Sequence, residues 1–403
     1  MRTAALTLLL VILAVPALAA DLAVRARLIH TVAGDTIEDG VVLIRDGKIH
    51  RVGPTDRVRI PDGTKVIEAA VVTPGFVDSH STVGLSGVFG GRAGQVRDQD
   101  QLEKSDPVQP GLDPMDAYNA ADPLVAWIRQ FGVTTIHTGH GPGAVISGRT
   151  MIVKTQGRSA DADVIERDTA IAVTLGTGID SDFKSPGNRA KAVAMLRKAL
   201  IDGADYQKKM NSDKPPGRDI GKEVMGKVLD GDIKVLVTAH NAIDISAALR
   251  LKREFGLNML LDGAADAPLL LEEIKAARVP VLLHAPMLRA SGDTKNAAFD
   301  SALELLSADI PFAYQTGYEG YVPKSRVLLF EAAVAVAHGV APRDALRAMT
   351  LSPAEILGIE KRVGSIERGK DGDLVLFNGD PFEYLTQVCA VVIEGEVVSD
   401  ECW

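Results

Sequence analysis

The sequence predicts an α/β fold: a (β/α)8 TIM-like barrel joined to a small composite β-sandwich formed by both ends of the chain. Two patterns predict it. Strands with tight-turn signals crowd both ends, and short apolar runs alternate with helical stretches between them. A chain of 403 residues with 46% apolar content can bury a core of this size. We expect residues 20–72 and 364–403 to form the sandwich and residues 73–363 the barrel.

The strands of the predicted sandwich are marked by their turns. Residues 41–52 contain two apolar runs on either side of an Asp-Gly turn at Gly47, which is typical of a β-hairpin. Residues 390–398 repeat this pattern around a Glu-Gly turn at Gly395. Neither end has enough strands for a stable sheet alone, so we expect the two ends to pack together.

The middle of the chain predicts strands that alternate with helices. The apolar runs are residues 133–136, 235–237, 259–261, 281–283 and 312–314. The helical stretches are residues 242–255, 267–277 and 324–338. This alternation favours parallel strands with crossover helices, and about 290 residues suit a closed barrel. Two polar stretches, residues 92–114 and 207–222, are predicted to be insertions on loops.

The first 19 residues are predicted to be a signal peptide. Arg2 supplies a positive charge, residues 5–14 are apolar, and Ala17-Leu18-Ala19 fits a cleavage site near Ala19. The alternative is a retained membrane anchor, but the apolar run is short for a stable span. We therefore expect a secreted or periplasmic protein with no stable membrane span after cleavage.

The charge of the chain limits its partners. The net charge is −9 and no basic run occurs, so nucleic acid and anionic membrane surfaces are not expected as partners.

The predicted export permits a disulfide between Cys389 and Cys402. A two-residue turn at Gly395 would place them diagonally, about 7 Å apart between Cβ atoms. That distance is too long for a disulfide unless a bulge shifts the strands, so the spacing disfavours a disulfide but leaves it open.

One strand carries the pattern of a metal site. Residues 72–82 form an apolar strand that ends in His80 and Thr82, two residues apart and therefore on one face. In a hydrolytic β/α barrel both members of such a pair would be histidines that bind a divalent metal. The second position is Thr82 here, which bears directly on whether the chain is an enzyme.

Several segments resemble the amidohydrolase superfamily, in particular its imidazolonepropionase-like members. Residues 74–80, Pro-Gly-Phe-Val-Asp-Ser-His, are similar to its first barrel strand, and residues 131–135 to its second. Residues 331–358 are similar to the closing helices, and residues 363–375 to the return into the sandwich. The resemblance covers nearly all of the chain after the predicted signal peptide. It implies a hydrolase that acts on carbon–nitrogen bonds other than peptide bonds.

The resemblance also implies a metal site, most of which is replaced here. His80 matches a family ligand, and Lys154 matches the lysine that can bridge two metals. Histidines or an aspartate are replaced at four further positions, Thr82, Thr238, Gly263 and Gly317. A hydrolytic zinc site needs at least three protein ligands and an open position for water. We therefore expect the family's divalent metal, zinc, to be absent and metal-dependent activity to be reduced or lost.

Other polar residues are predicted to lie near the barrel mouth. Candidate acids or bases for metal-free chemistry are His284, Asp262 and His240, the last matching an accessory histidine of some family members. A relocated metal site could use His80, His137, His140, His240 and His284. Polar residues satisfied by hydrogen bonds at strand ends are the alternative.

Three functions remain open: a hydrolase with a reduced metal site, metal-free catalysis, and a non-catalytic protein that binds a small molecule or a partner in the barrel mouth. The loop of residues 95–116 is expected to cover that mouth. The expected partner is a small-molecule ligand or substrate, and a homo-oligomer is possible.

Overall fold

The structure is a computed structural model that describes residues 22–87, 99–288, 290–317 and 327–402. The predicted signal peptide and its cleavage site lie outside the described residues. Within the described ranges, none of the helices is both long and apolar enough to cross a membrane.

The strands alternate with helices in the middle of the chain, as predicted. The strands are β1 Leu22–Ile29, β2 Ile37–Arg45, β3 Lys48–Pro54, β4 Lys65–Pro74, β5 Phe76–Asp78, β6 Val133–Gly139, β7 Ile146–Lys154, β8 Val164–Thr174, β9 Lys234–Ala239, β10 Met259–Gly263, β11 Val281–Leu283, β12 Phe312–Tyr314, β13 Leu374–Phe377, β14 Val388–Ile393 and β15 Glu396–Ser399. The α-helices are α1 Pro123–Gln130, α2 Ala160–Asp163, α3 Arg189–Met210, α4 Ile220–Asp230, α5 Ala242–Phe255, α6 Leu271–Ala277, α7 Ser301–Ser307, α8 Leu328–Ala337, α9 Pro342–Ala348 and α10 Leu351–Leu357.

Both ends of the chain contribute to one sheet. The described strands of this sheet lie in the order β15-β14-β13-β4-β1-β2-β3. The N-terminal and C-terminal strands meet where β4 pairs antiparallel with β13, for example Val72 with Leu376. The prediction of a composite β-structure is confirmed, but its strands form one continuous sheet instead of two stacked sheets. Edge-to-edge pairing at β4 satisfies backbone groups that a separate sheet would leave open.

The second sheet is a nearly closed barrel. Its described strands run in the order β12 to β5, and all neighbours except those of β7 are parallel. Strand β12 meets β5 through Ser79, whose backbone N–H and hydroxyl both donate to the carbonyl of Tyr314, at 3.4 and 2.8 Å. An isolated bridge between Ser81 and Gly317 continues this contact.

The expectation of an all-parallel (β/α)8 barrel is wrong at one strand. Strand β7 pairs antiparallel with both β6 and β8. Residues 140–145 connect β6 to β7 without a helix, and a connection this short can only reverse the chain into an adjacent antiparallel strand. Strand β7 therefore runs towards the opposite end of the barrel from its neighbours, which decides where Lys154 lies.

The helices begin and end at residues that cap helix ends. Helix α5 covers the predicted residues 242–255, and its C-cap Gly256 has φ +69°, a backbone conformation that glycine adopts without strain. Helix α4 begins after Asp219, whose side chain accepts from the N–H of Lys222. The polar stretch 207–222, predicted to be a loop, includes the last turn of α3 and the first of α4.

The barrel interior has an apolar layer. The residues of this layer are Val77, Ile152, Ala170, Leu236, Leu260, Leu282 and Ala313. Leu357 and Val363, which follow the last barrel strand, pack against the same cluster. This layer places the polar residues of the site, because side chains two residues further along each parallel strand point to the same axis.

The two cysteines form a disulfide, the alternative that the spacing in the sequence disfavoured but left open. The pairing of β14 with β15 shifts by one residue, since Val392 faces Val397 whereas Val391 faces Ser399. This bulge moves the C-terminal end of the chain along Cys389 and brings Cys402 within bonding distance.

Candidate barrel-mouth site

The strand ends converge on a polar layer above the apolar one. Thr238, Asp262, His284 and Gln315 each lie two residues beyond an apolar residue of the barrel interior. All four are almost fully buried. Because successive residues of a strand alternate in direction, the four side chains point into the barrel at the carboxyl ends of neighbouring strands.

Asp262 is the centre of this layer. Its carboxylate lies 2.9 Å from Nδ1 of His80, and it accepts from the Thr238 hydroxyl at 2.6 Å and from Nε2 of Gln315 at 2.9 Å. Gln315 also donates to the carbonyl of Leu282 at 2.9 Å. Residues from four strand ends therefore meet at one buried carboxylate. Gln315 was not among the candidates from sequence, although its spacing from Ala313 could have identified it.

A second buried carboxylate joins the first and last barrel strands. Asp78 accepts from the N–H of Thr316 at 3.0 Å, from the Thr316 hydroxyl, and from the N–H of His80 at 3.4 Å. Burial raises the pKa of Asp78 to about 6, although these hydrogen bonds act in the opposite direction. The side chain thus serves barrel closure, a role that sequence reasoning missed.

His240 and His284 lie close to each other at the mouth. Nδ1 of His284 lies 3.0 Å from the carbonyl of Ala285, and the backbone N–H of His284 donates to the carbonyl of Gly263. Burial, with a smaller contribution from the neighbouring His240, lowers the pKa of His284 to about 4. Burial also lowers the pKa of His240. Both rings are therefore uncharged at neutral pH.

His137 and His140 are held by the barrel wall. Nδ1 of His137 lies 2.8 Å from the carbonyl of Ser79, and its Nε2 lies 2.7 Å from the Thr150 hydroxyl. Burial lowers the pKa of His137 to about 3. Nδ1 of His140 lies 2.9 Å from the carbonyl of Arg149. Among the described residues, no three His, Cys, Asp or Glu side chains form a group that could hold a metal ion.

Lys154 lies at the junction between the barrel and the terminal sheet. Its ammonium group contacts Asp371 at 2.9 Å and Asp373 at 2.5 Å, and its side chain is 2% exposed. Both carboxylates belong to the segment that leads into β13. Since β7 runs antiparallel, its last residue lies beside the start of β6, where Lys154 pairs with Thr135. The structure therefore does not bring Lys154 to the mouth with His80.

The positions at which the sequence predicts replaced metal ligands have distinct surroundings. The methyl group of Thr82 packs on Gly141, where an added Cβ would lie 2.7 Å from it. Gly263 has φ +78°, and a Cβ there would lie 2.4 Å from Cε1 of His240. The His240 ring thus occupies the space that a side chain at 263 would need. A Cβ at Gly317, at φ +82°, would meet no described atom within 4 Å.

A segment after β11 reaches across the mouth and is held at two points. Asp293 accepts from the N–H of Thr177 at 3.2 Å and from its hydroxyl, and Asn296 donates to Asp266 at 2.7 Å. The predicted covering loop also approaches the mouth, because the N–H of Gly141 donates to the carbonyl of Gln101. Residues 95–98 of that loop lie outside the described residues.

Comparison with known proteins supports one superfamily. A model of the Amidohydrolase family matches residues 234–398. Amidohydrolase tasK of Hapsidospora irregularis is 24% identical over 90% of this chain, which spans 40% of that protein. The imidazolonepropionase of Solibacter usitatus is 24% identical, and the match covers 87% of each chain.

Solved structures agree with these matches. An amidohydrolase from Thermotoga maritima MSB8 superposes with a TM-score of 0.87 at 25% identity, covering 94% of this chain and 100% of that one. A zinc-bound adenosine deaminase from Xanthomonas campestris superposes with a TM-score of 0.56 at 16% identity, covering 95% of this chain and 93% of that one, and this shows the fold alone.

The barrel with polar residues at its carboxyl end, together with a sheet built from both chain ends, defines a protein of the α/β-barrel class. Within that class, the chain belongs to the amidohydrolase superfamily.

Proposed function

We propose that the barrel mouth binds a small molecule and that metal-dependent hydrolysis of carbon–nitrogen bonds is reduced or lost. The observation that supports this most directly is the state of Asp262. Its carboxylate is hydrogen-bonded to His80, Thr238 and Gln315. Because Asp262 already accepts hydrogen bonds that join the strand ends, it is poorly placed to bind a cation.

The residues at the mouth do not fit a hydrolytic zinc ion. Such a site needs at least three nitrogen, oxygen or sulfur ligands and an open position. Gly263 and Gly317 have no side-chain atom that could bind a metal. The Thr238 hydroxyl is hydrogen-bonded to Asp262. Nδ1 of His80 is bonded to Asp262, which leaves only Nε2 of that ring for a metal, and no three His, Cys, Asp or Glu side chains of the described residues form a group that could hold one. No step through a metal ion is therefore derived for this protein.

The mouth retains features of a ligand site. Small-molecule sites combine apolar walls with a few placed polar groups and favour the carboxyl ends of barrel strands. His240 and His284 supply polar atoms there, and the segment around Asp293 partly covers them. We propose that the protein acts outside the cytoplasm, which the predicted signal peptide and the Cys389–Cys402 disulfide both support.

Metal analysis of the purified mature protein tests the proposal. We expect less than stoichiometric Zn, Fe, Mn and Ni, and no rise in the midpoint of thermal unfolding when any of these metals is added. Stoichiometric metal that disappears in His80→Ala would contradict the proposal.

A restored variant supplies the positive control. It carries Thr82→His, Thr238→His, Gly263→His and Gly317→Asp, together with His240→Ala to make room for the new side chain at 263. Near-ultraviolet circular dichroism checks that it folds. We expect this variant to bind zinc where the wild-type protein does not. Equal zinc binding by both proteins would contradict the proposal.

Metal-free hydrolysis is the second candidate. The matched relatives include an imidazolonepropionase and a 5-methylthioadenosine/S-adenosylhomocysteine deaminase, and the His284 ring retains a buried nitrogen that could move a proton. A panel of cyclic amides and amino-purines, assayed with and without EDTA, tests it. EDTA-resistant turnover that is lost in His284→Gln but kept in His338→Gln would support this candidate. The exposed His338 lies at the end of α8 and serves as the control.

A further inference from the structure

The imidazoles of His240 and His284 each present a nitrogen without a partner at the barrel mouth. Nε2 of His284 and Nδ1 of His240 are both buried, and neither has a hydrogen-bond partner in the part of the chain that the structure describes. His284 is only 3% exposed. Leaving a buried polar atom without a partner lowers stability, so such atoms call for an explanation. Binding of a ligand to these nitrogens is one such explanation.

The hydrogen-bond role of His284 follows from its neighbour. Nδ1 lies 3.0 Å from the carbonyl of Ala285, and a carbonyl only accepts, so Nδ1 must carry the proton. An uncharged ring with its proton on Nδ1 presents a lone pair at Nε2. The group that completes His284 must therefore be a donor, an N–H or an O–H.

Gly263 lies next to both histidines. The backbone N–H of His284 donates to the carbonyl of Gly263, and the His240 ring occupies the space that a Cβ at 263 would need. The absence of a side chain at 263 thus makes room for the His240 ring, which lies close enough to His284 to affect its pKa.

The acidic side chains around the mouth are already hydrogen-bonded. Asp266 accepts from the N–H of Ala242 and from Asn296, and Asp293 accepts from Thr177 and Asn241. Asp262 is bonded in the barrel centre. Burying a charged ligand is costly unless an opposite charge pairs with it. These carboxylates are already partly compensated by their donors, so the arrangement favours an uncharged molecule.

Exposed apolar side chains follow the same strands. Ile243, Leu269 and Met287 lie in the segments that follow β9, β10 and β11, four, six and four residues beyond the strand ends, and all three are exposed. The carboxyl ends of these strands meet at one side of the mouth. Three large apolar side chains on one rim exceed the scattered exposure expected of an ordinary surface.

We propose that the mouth takes an uncharged molecule whose N–H or O–H group donates to Nε2 of His284 and whose apolar group lies against Ile243, Leu269 and Met287. This rests on the proposed function, since a metal-free mouth is required for a neutral imidazole to bind the ligand directly. The class includes primary and secondary amides with an aromatic or branched aliphatic substituent.

A matched pair of probes tests the donor. Benzamide has two N–H donors, whereas N,N-dimethylbenzamide has the same ring and carbonyl without a donor. We expect benzamide to bind the full mature protein at least about tenfold more tightly in calorimetry, the factor that about 1.4 kcal/mol provides. In spectra of 15N-histidine protein, only benzamide should shift the Nε2 resonance of His284.

The variant His284→Phe keeps a ring and removes the acceptor. We expect it to bind both probes with similar affinity, whereas the control His338→Gln retains the tenfold preference. A direct measurement on the wild-type protein protects against misfolding of the variant, because the Nε2 resonance needs no substitution.

Four results would overturn the donor proposal. They are equal binding of the two probes, binding without a shift at His284, tighter binding of benzylamine than of benzamide, and no binding of either amide at millimolar concentration. Each leaves the metal analysis of the proposed function untouched. Stoichiometric zinc on His80 would instead overturn the proposed function.

Discussion

Asp262 shows how one buried carboxylate can join strand ends at the centre of a barrel. Its hydrogen bonds with His80, Thr238 and Gln315 draw together β9, β10, the segment after β5 and the segment after β12. Hydrogen bonds to a charged group stabilise by about 1.5–3 kcal/mol each. We therefore expect this carboxylate to contribute to the stability of the closed barrel.

Asp262→Asn tests this role. The amide cannot accept on both sides, so at least one of the three donors loses its partner, and we expect unfolding free energy to fall by about 2–3 kcal/mol. Urea unfolding followed by circular dichroism measures it. The control Asp309→Asn, at a side chain that is 88% exposed, should change stability by less than about 0.5 kcal/mol. Equal effects would show that Asp262 has no special structural role.

His137 predicts a pH dependence of stability. Burial lowers its pKa from 6.5 to about 3, so the unfolded chain binds the proton more readily than the folded chain does. The contribution of the neutral His137 ring to the free energy of unfolding is fully present above pH 6.5 and is lost progressively as pH falls towards 3. Between pH 6.5 and pH 4, we expect the unfolding free energy of His137→Gln to fall by roughly 3 kcal/mol less than that of the wild type. Urea unfolding at each pH measures this, and an equal fall in both proteins would contradict the assignment.

At the scale of elements, a single bulge decides the cysteine pairing. The alternation of β14 and β15 is visible in the sequence, but the one-residue shift at Val392 depends on how β14 packs on its other neighbour, β13. The direction of strand β7 is a second feature that the pattern within one strand does not show. The short connection from β6 decides it, because it reverses the chain.

We expect the disulfide to stabilise the terminal sheet. Cys389 and Cys402 are 13 residues apart, and closing a loop of about 15 residues stabilises a protein by about 3 kcal/mol. We therefore expect Cys402→Ser, compared with the oxidised wild type, to lower unfolding free energy by about that amount and to speed amide exchange in β15. After reduction with dithiothreitol, the two proteins should have the same stability. A difference that survives reduction would show that the substitution acts by another route.

At the scale of the molecule, the barrel and terminal sheet are joined by buried charges. Lys154 of β7 contacts Asp371 and Asp373, and Asp371 also contacts Lys48 and Arg362. The predicted metal-bridging lysine thus lies at a structural junction. Its partners belong to the segment that resembles the family's return into the terminal strands.

Lys154→Met tests this junction. Removing one partner of a buried ion pair leaves an uncompensated charge and typically costs about 3–5 kcal/mol. We expect a loss in that range, measured by guanidinium unfolding with an amide-exchange readout on β7 and β13. Lys275→Met breaks a surface pair with Asp309 and should cost less than about 1 kcal/mol. If the two substitutions cost the same, Lys154 does not hold the two sheets together.

Much of the fold could be predicted, because periodicity and turn residues are local signals. The bounds of α5, the hairpin at Gly47 and the composite nature of the terminal strands all follow from short stretches of sequence. The domain limits at residues 72 and 364 and the signal peptide remain predictions. The direction of β7 and the register at Val392 depend on contacts between elements, which no single window contains.

The sequence by itself determined the superfamily, and it predicts lost metal ligands at Thr82, Thr238, Gly263 and Gly317, because residue identity decides which atoms can bind a metal. Only the tertiary structure decided what the remaining polar residues do. It placed Asp262 among three donors, Lys154 at the sheet junction, and His240 against Gly263 with His284 nearby. Hydrogen bonds between residues far apart in the chain require distance and direction, and those exist only once the barrel has closed.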